Sequence, residues 1–114
     1  MTDQRSTGDP MDHPVLERLE PGETVQALAH AASASLLVTD RRIAVAEAKR
    51  IALDVPFEGL RRIQFDIERE RPATLVIVPE DPRDEPQVMA VPPERYGEVT
   101  RALALIGERL FQLR

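Results

Sequence analysis

The residues of this chain that could do chemistry are few and scattered. His13 and His30 lack the HxxxH or HExxH spacing that sets two imidazoles on one helix face for zinc, so two solvated rings are expected. Asp81, Asp84 and Glu85 are close together, as calcium ligands often are. The prolines around them and the missing glycine do not fit an EF-hand loop, so a solvated loop is expected. Ser33 and Ser35 have no GxSxG context, and the absence of cysteine excludes thiolate nucleophiles, thiolate metal sites and disulfides. The five glycines stand singly, so no loop is built to cradle phosphate. These residue types predict a protein that is not an enzyme and has no cofactor or resident metal.

The arginines offer a different chemistry. Arg41, Arg42, Lys49, Arg50, Arg61 and Arg62 fall at turns or strand starts. If neighbouring hairpins converge, Arg41, Arg42, Arg50 and Arg62 could form a patch that holds an anion through charge-assisted bonds. The competing reading pairs these residues with Asp40, Glu47, Asp54 and Glu58 nearby, as surface charges commonly do. Fourteen of the fifteen basic residues are Arg, against twenty Asp and Glu, for a net charge of −5. Such a chain repels nucleic acid and anionic lipid at long range. With three Phe, one Tyr and no Trp it also lacks a stacking platform for single strands, so no nucleic-acid partner is expected.

The elements that must carry these residues read clearly. At 114 residues, 42% hydrophobic and 31% charged, the chain suits one soluble domain. No apolar run approaches the ~20 residues of a membrane span. Met1–Arg5 is polar and acidic, unlike a secretory leader, which favours a cytoplasmic location. Residues 1–14, with Gly8, Pro10 and Pro14, read as a flexible tail, and 15–114 as the domain. Val15–Leu19 can form a short helical turn that lays its apolar side on the domain. Pro21-Gly22-Glu23 is a turn. Period-two alternation then predicts strands over 25–30, 35–39, 42–47, 50–55, 60–68, 73–78 and 87–91. In the fifth of these, Ile63, Phe65 and Ile67 face one way and Arg62, Gln64, Asp66 and Glu68 the other. After Pro92-Pro93-Glu94 the period becomes 3.6, and Val99, Ala102, Leu103, Ile106, Leu110 and Leu113 form one helical stripe. The fold class is α+β, mainly β, with about seven antiparallel strands and one C-terminal helix.

Three short stretches sharpen this order. Leu36-Leu37-Val38-Thr39-Asp40-Arg41-Arg42-Ile43 resembles the strand–turn–strand element of bacterial pleckstrin-homology-like (PH-like) domains. Pro21-Gly22-Glu23 and Leu53-Asp54-Val55-Pro56-Phe57-Glu58-Gly59-Leu60 resemble that family too, and the likeness spans about residues 20–113. The resemblance implies a bent barrel closed by the terminal helix, and a binding module without catalytic residues, often self-associating. Phosphoinositide-binding relatives carry a basic cluster on the first two strands and their loop. Here that loop, His30 to Ser35, has no Lys or Arg, so phosphoinositide binding is not expected.

One physical problem remains. Leu36-Leu37-Val38 and Thr74-Leu75-Val76-Ile77-Val78 have no wet face, yet a barrel strand buries only one. Their second face needs cover from the helix, from Val15–Leu19 or from another chain. The expectation is a non-catalytic binding or scaffold module that self-associates or engages a protein partner, with Val76 and Val78 as first contact residues and Leu36 and Val38 second. The alternative is an anion- or acidic-lipid-binding module using the arginine hairpins, which leaves peripheral membrane association open.

Overall fold

The structure, a computed structural model, describes residues 13–113. Seven strands precede one helix: β1 (Val25–His30), β2 (Ser35–Thr39), β3 (Arg42–Glu47), β4 (Arg50–Pro56), β5 (Leu60–Asp66), β6 (Ala73–Pro79), β7 (Gln87–Val91) and α1 (Tyr96–Gln112). They form two antiparallel sheets, β1-β2-β3-β4 and β5-β6-β7, rather than one closed hydrogen-bonded barrel. Register shifts at Val25/Ala27, Val45/Ala46 and Leu60/Arg62 bend the strands as β-bulges do. The sheets also meet through backbone bonds, with the Ala32 N–H donating to the Ala90 carbonyl at 2.8 Å.

The core lies between the sheets. Ala27, Ala29, Leu36, Val38, Ile43, Val45, Leu53 and Val55 point into it from the first sheet, and Ala73, Leu75, Ile77, Met89 and Val91 from the second. Helix α1 closes the open end with Val99, Ala102 and Ile106, while Leu103 and Leu110 pack at the margin. Leu113, expected on the same stripe, is exposed because the helix ends at Gln112. Ile67 likewise departs from expectation. β5 stops at Asp66, so Ile67 leaves the sheet and is 57% exposed.

The helix is pinned near both ends by charge. Glu98 Oε1 accepts the His30 backbone N–H at 2.9 Å and lies 3.0 Å from His30 Nδ1, and Arg95 reaches Glu98 Oε2 at 2.7 Å. Burial alone would raise the Glu98 pKa, but the His30 and Arg95 contacts outweigh it and hold the carboxyl below its ordinary range. His30 is therefore a tether between β1 and α1 rather than a freely solvated ring. Toward the other end, Arg109 donates to the Asp40 carbonyl, and its guanidinium lies 4.5 Å from the Phe57 ring centroid. Acidic Glu98 in the first turn and basic Arg109 in the last also suit the helix dipole.

The sequence places His13 and Pro14 in a tail, whereas the structure makes them part of the folded body; residues 1–12 of that expected tail lie outside the described residues. A 3-10 turn over Pro14–Arg18 follows His13, whose Nδ1 accepts the Val15 N–H at 3.1 Å. Val15 then joins Leu37 and Ala44 in a small second core on the outer face of the first sheet. His13 is buried, not solvated, beside the Ser35 backbone. Burial is the main reason its pKa is lowered.

Two outcomes follow from this packing. A Cβ added at Gly97 or Gly107 meets nothing within 4 Å, so Gly97→Ala and Gly107→Ala should each stabilise the chain by about 0.5–1 kcal/mol in urea unfolding. His13 has a depressed folded pKa, so the unfolded chain binds the proton more readily and stability falls as pH drops from about 6.5 through the folded value. His13→Asn keeps an acceptor for the Val15 N–H. It should flatten the fall in unfolding free energy as pH drops below about 6.5.

Candidate functional site

The sequence offers two candidate surfaces, and the structure treats them differently. The arginine candidates are not gathered. Arg42 and Arg50 sit at opposite ends of the β3–β4 hairpin, where Arg42 pairs with Pro56 and Arg50 with Glu47. At about 3.4 Å per residue the five steps from 42 to 47 alone separate them by roughly 17 Å. Arg62 lies on the other sheet. Each has local partners: Arg41 contacts Glu20 at 2.9 Å, Arg50 contacts Glu47 at 2.7 Å, and Arg62 donates to Gln64 Oε1 at 2.7 Å.

Arg42 belongs to a buried network. Glu20–Glu23 is a tight turn with Pro21 and then Gly22 at its centre. Gly22 has a φ of +83°, which a side chain would strain. The turn aims the Glu23 carboxylate inward, where its side chain has no solvent exposure, and Arg42 beside it keeps only 16%. Arg42 grips the carboxylate with two bonds, Nε to Oε2 at 2.8 Å and Nη2 to Oε1 at 3.0 Å. The Thr39 hydroxyl donates to Oε2 at 2.6 Å and accepts the backbone N–H groups of Arg41 and Arg42. Arg42 Nη1 also reaches Asp54 Oδ2 at 3.2 Å, and Asp40 Oδ1 accepts the Thr24 N–H at 2.8 Å. Burial alone would raise the Glu23 pKa; Arg42 and Thr39 override it and hold the carboxyl low. Every strong valence of the Arg42 guanidinium is thus turned inward, which removes it from any anion site.

The apolar candidates divide as well. Leu36 and Val38 are buried in the main core, and the free face of β2 belongs to Leu37, which Val15 covers. Leu36 and Val38 therefore cannot meet another chain. Val76 and Val78 remain on the outside. β6 alternates between buried Ala73, Leu75, Ile77 and Pro79 and half-buried Thr74, Val76 and Val78. Register aligns Val76 with Gln64 on one side and Val88 on the other, and Thr74 with Asp66 and Ala90. Val88 is 67% exposed. The outer face of the second sheet is thus an apolar field of Val76, Val78, Val88 and Ala90, bounded along β5 by Arg62, Gln64 and Asp66. Val88 and Ala90 escape the sequence reading, although Gln87–Val91 carries the same signal as β6, apolar residues at successive positions.

A separate open cleft of about 590 Å3 lies beside the start of α1. It is lined by Pro72, Val91, Pro92, Pro93 and Tyr96, with Glu68, Glu70 and Arg71 around them. Tyr96 is held there by an edge-on contact with Phe65, ring centroids 5.4 Å apart. Among the described residues no three His, Asp or Glu side chains converge as a metal site would require, and no helix is long and apolar enough to cross a membrane.

The architecture has a solved counterpart. The chain is similar to the crystal structure of a pleckstrin homology domain from Shewanella amazonensis SB2B, with a TM-score of 0.62 over 82% of this chain and 89% of that one at 14% identity. Its fold is PH-like. No protein-family model and no curated protein matches the chain.

Stripping one partner from a buried ion pair leaves an uncompensated charge. Arg42→Ala should therefore cost about 3–5 kcal/mol in urea unfolding. Glu23 has a depressed folded pKa, so its contribution is full above the ordinary carboxylate pKa and is lost as pH falls through the folded value. The deficit of Arg42→Ala relative to the parent chain should accordingly shrink in acid.

Proposed function

We propose that this chain is a non-catalytic binding module whose working surface is the outer face of the β5–β7 sheet. One observation carries the reading: Val88, two-thirds exposed, stands beside Val76 on a sheet whose other face fills the core. Exposed valines scattered singly are ordinary, but a cross-strand set on a flat face is what protein interfaces bury. The contrast within the molecule supports it. The outer face of the first sheet has its own cover in Val15 and Leu16, while the second sheet's valines gain only partial shelter from their cross-strand neighbours. The chemistry such a face performs is apolar docking of protein, by self-association or with a protein partner. The dispersed and internally paired arginines give the anion-binding alternative no comparable surface.

The reading is tested by solution mass. Val88→Glu and Val76→Glu place a charge in the middle of the face, where docking would have to desolvate it. The parent chain should run as a multiple of 12.8 kDa in size-exclusion with light scattering, and both variants should run at 12.8 kDa. Because Val88 is largely exposed, Val88→Glu should change monomer stability by no more than about 0.5 kcal/mol. An oligomeric parent whose mass neither variant alters would overturn the assignment.

A further inference from the structure

We infer that the occupant of this face is a second copy of the chain, stacked about a two-fold axis running across the strands, so that Arg62 of each copy meets Asp66 of the other. This rests on the reading of the β5–β7 face as a docking surface, and it adds the partner and the orientation.

Antiparallel pairing lays the outward side chains in rows: Arg62 beside Val78, then Gln64, Val76 and Val88, then Asp66, Thr74 and Ala90. The middle row is uncharged. The β5 edge is a polar rail with a cation at one end and an anion at the other. Hydrogen bonds hold it in line: Arg62 Nη1 donates to Gln64 Oε1 at 2.7 Å, and Gln64 Nε2 donates to Asp66 at 2.9 Å. Arg62 and Asp66 themselves are exposed.

A face that meets its own copy must satisfy itself under a two-fold rotation. Two orientations keep the strands aligned, as stacked sheets prefer. An axis along the strands would lay the rail of one copy on Val88 and Ala90 of the other, desolvating Arg62 and Asp66 against apolar surface. That loses hydration without a compensating partner. An axis across the strands, through the middle row, sets Val76 on Val76 and Val88 on Val88, and it exchanges the two outer rows. Arg62 then faces Asp66 at both ends of the rail, and Val78 faces Thr74. Sheets stack about 10 Å apart, a gap that an extended Arg and an Asp approaching from opposite sides can close. Only this orientation matches apolar to apolar and charge to opposite charge, so the order of charges along β5 selects it.

Charge reversal tests the orientation separately from the docking face. Four full-length chains are compared by sedimentation equilibrium over a concentration series: the parent, Arg62→Asp, Asp66→Arg, and the double variant. The parent should fit a dimer of the 12.8 kDa chain. Each single reversal opposes like charges at both ends of the rail and should raise the dimer Kd by at least about tenfold. The double variant rebuilds the rail in reverse and should return Kd to within about threefold of the parent. Circular dichroism and thermal melting confirm that all four are folded. A dimeric parent with insensitive single variants, or a double variant no tighter than the singles, overturns the orientation; if Val88→Glu still dissociates that dimer, the docking face survives. A parent chain monomeric at every concentration overturns the second copy as occupant.

Discussion

A carboxylate with no solvent exposure is costly unless its charge is answered, and in this fold Glu23 is answered by Arg42. Much of the first sheet is arranged around that requirement. The Glu20–Glu23 turn aims the carboxylate, and Thr39 both donates to it and holds the backbone that brings Arg42 round. Arg42 then ties β3 to Asp54 on β4 and to the Arg18 carbonyl at the end of the 3-10 turn. Asp40, in the same β2–β3 turn, holds the Thr24 N–H and offers its carbonyl to Arg109 on the helix. This pair and the β2–β3 turn beside it thus tie together the hairpin, the Glu20–Thr24 turn, the N-terminal strap and one end of α1.

The second organising fact is the unequal treatment of the two sheets. Both supply an apolar inner face to a shared core closed by α1. Only the first has its outer face covered, where Val15 and Leu16 meet Leu37, Leu28 and Ile51. The second keeps its outer valines at the surface beside a polar rail. The free energy of burying more apolar area remains unused there within one copy of the described chain, and it is available for association. A PH-like fold in itself names no partner.

Much of the architecture is legible in the residue order because its signals are local. Period-two alternation marks all seven strands to within a residue or two, and the change to a 3.6 period marks the helix after Pro92-Pro93. The three stretches that resemble PH-like domains, Pro21–Glu23, Leu36–Ile43 and Leu53–Leu60, meet in the folded chain through Glu23, Thr39, Arg42 and Asp54. Local signals end where strands end. Ile67 continues the alternation of β5 yet lies outside the sheet, because pairing with β6 stops at Asp66 opposite Thr74. Similarly, nothing near His13 in the sequence marks it as buried, since groups around it such as Ser35, Ala48 and Lys49 lie far along the chain.

What the sequence by itself determined is the set of elements, their order, the apolar faces and the absence of cysteine and glycine-loop chemistry, since these depend on residue type and spacing alone. It also posed the question of β2 and β6, each apolar on both sides. Which of the two stays open was decided only by tertiary structure. The Pro14–Arg18 strap packs on the first sheet, sealing Leu37 and consigning Leu36 and Val38 to the core, while Val76 and Val78 share an outer face with Val88. The fate of the arginines was decided in the same way: Arg42 lies nineteen residues from Glu23, and only folding brings the guanidinium to the one carboxylate that cannot do without it.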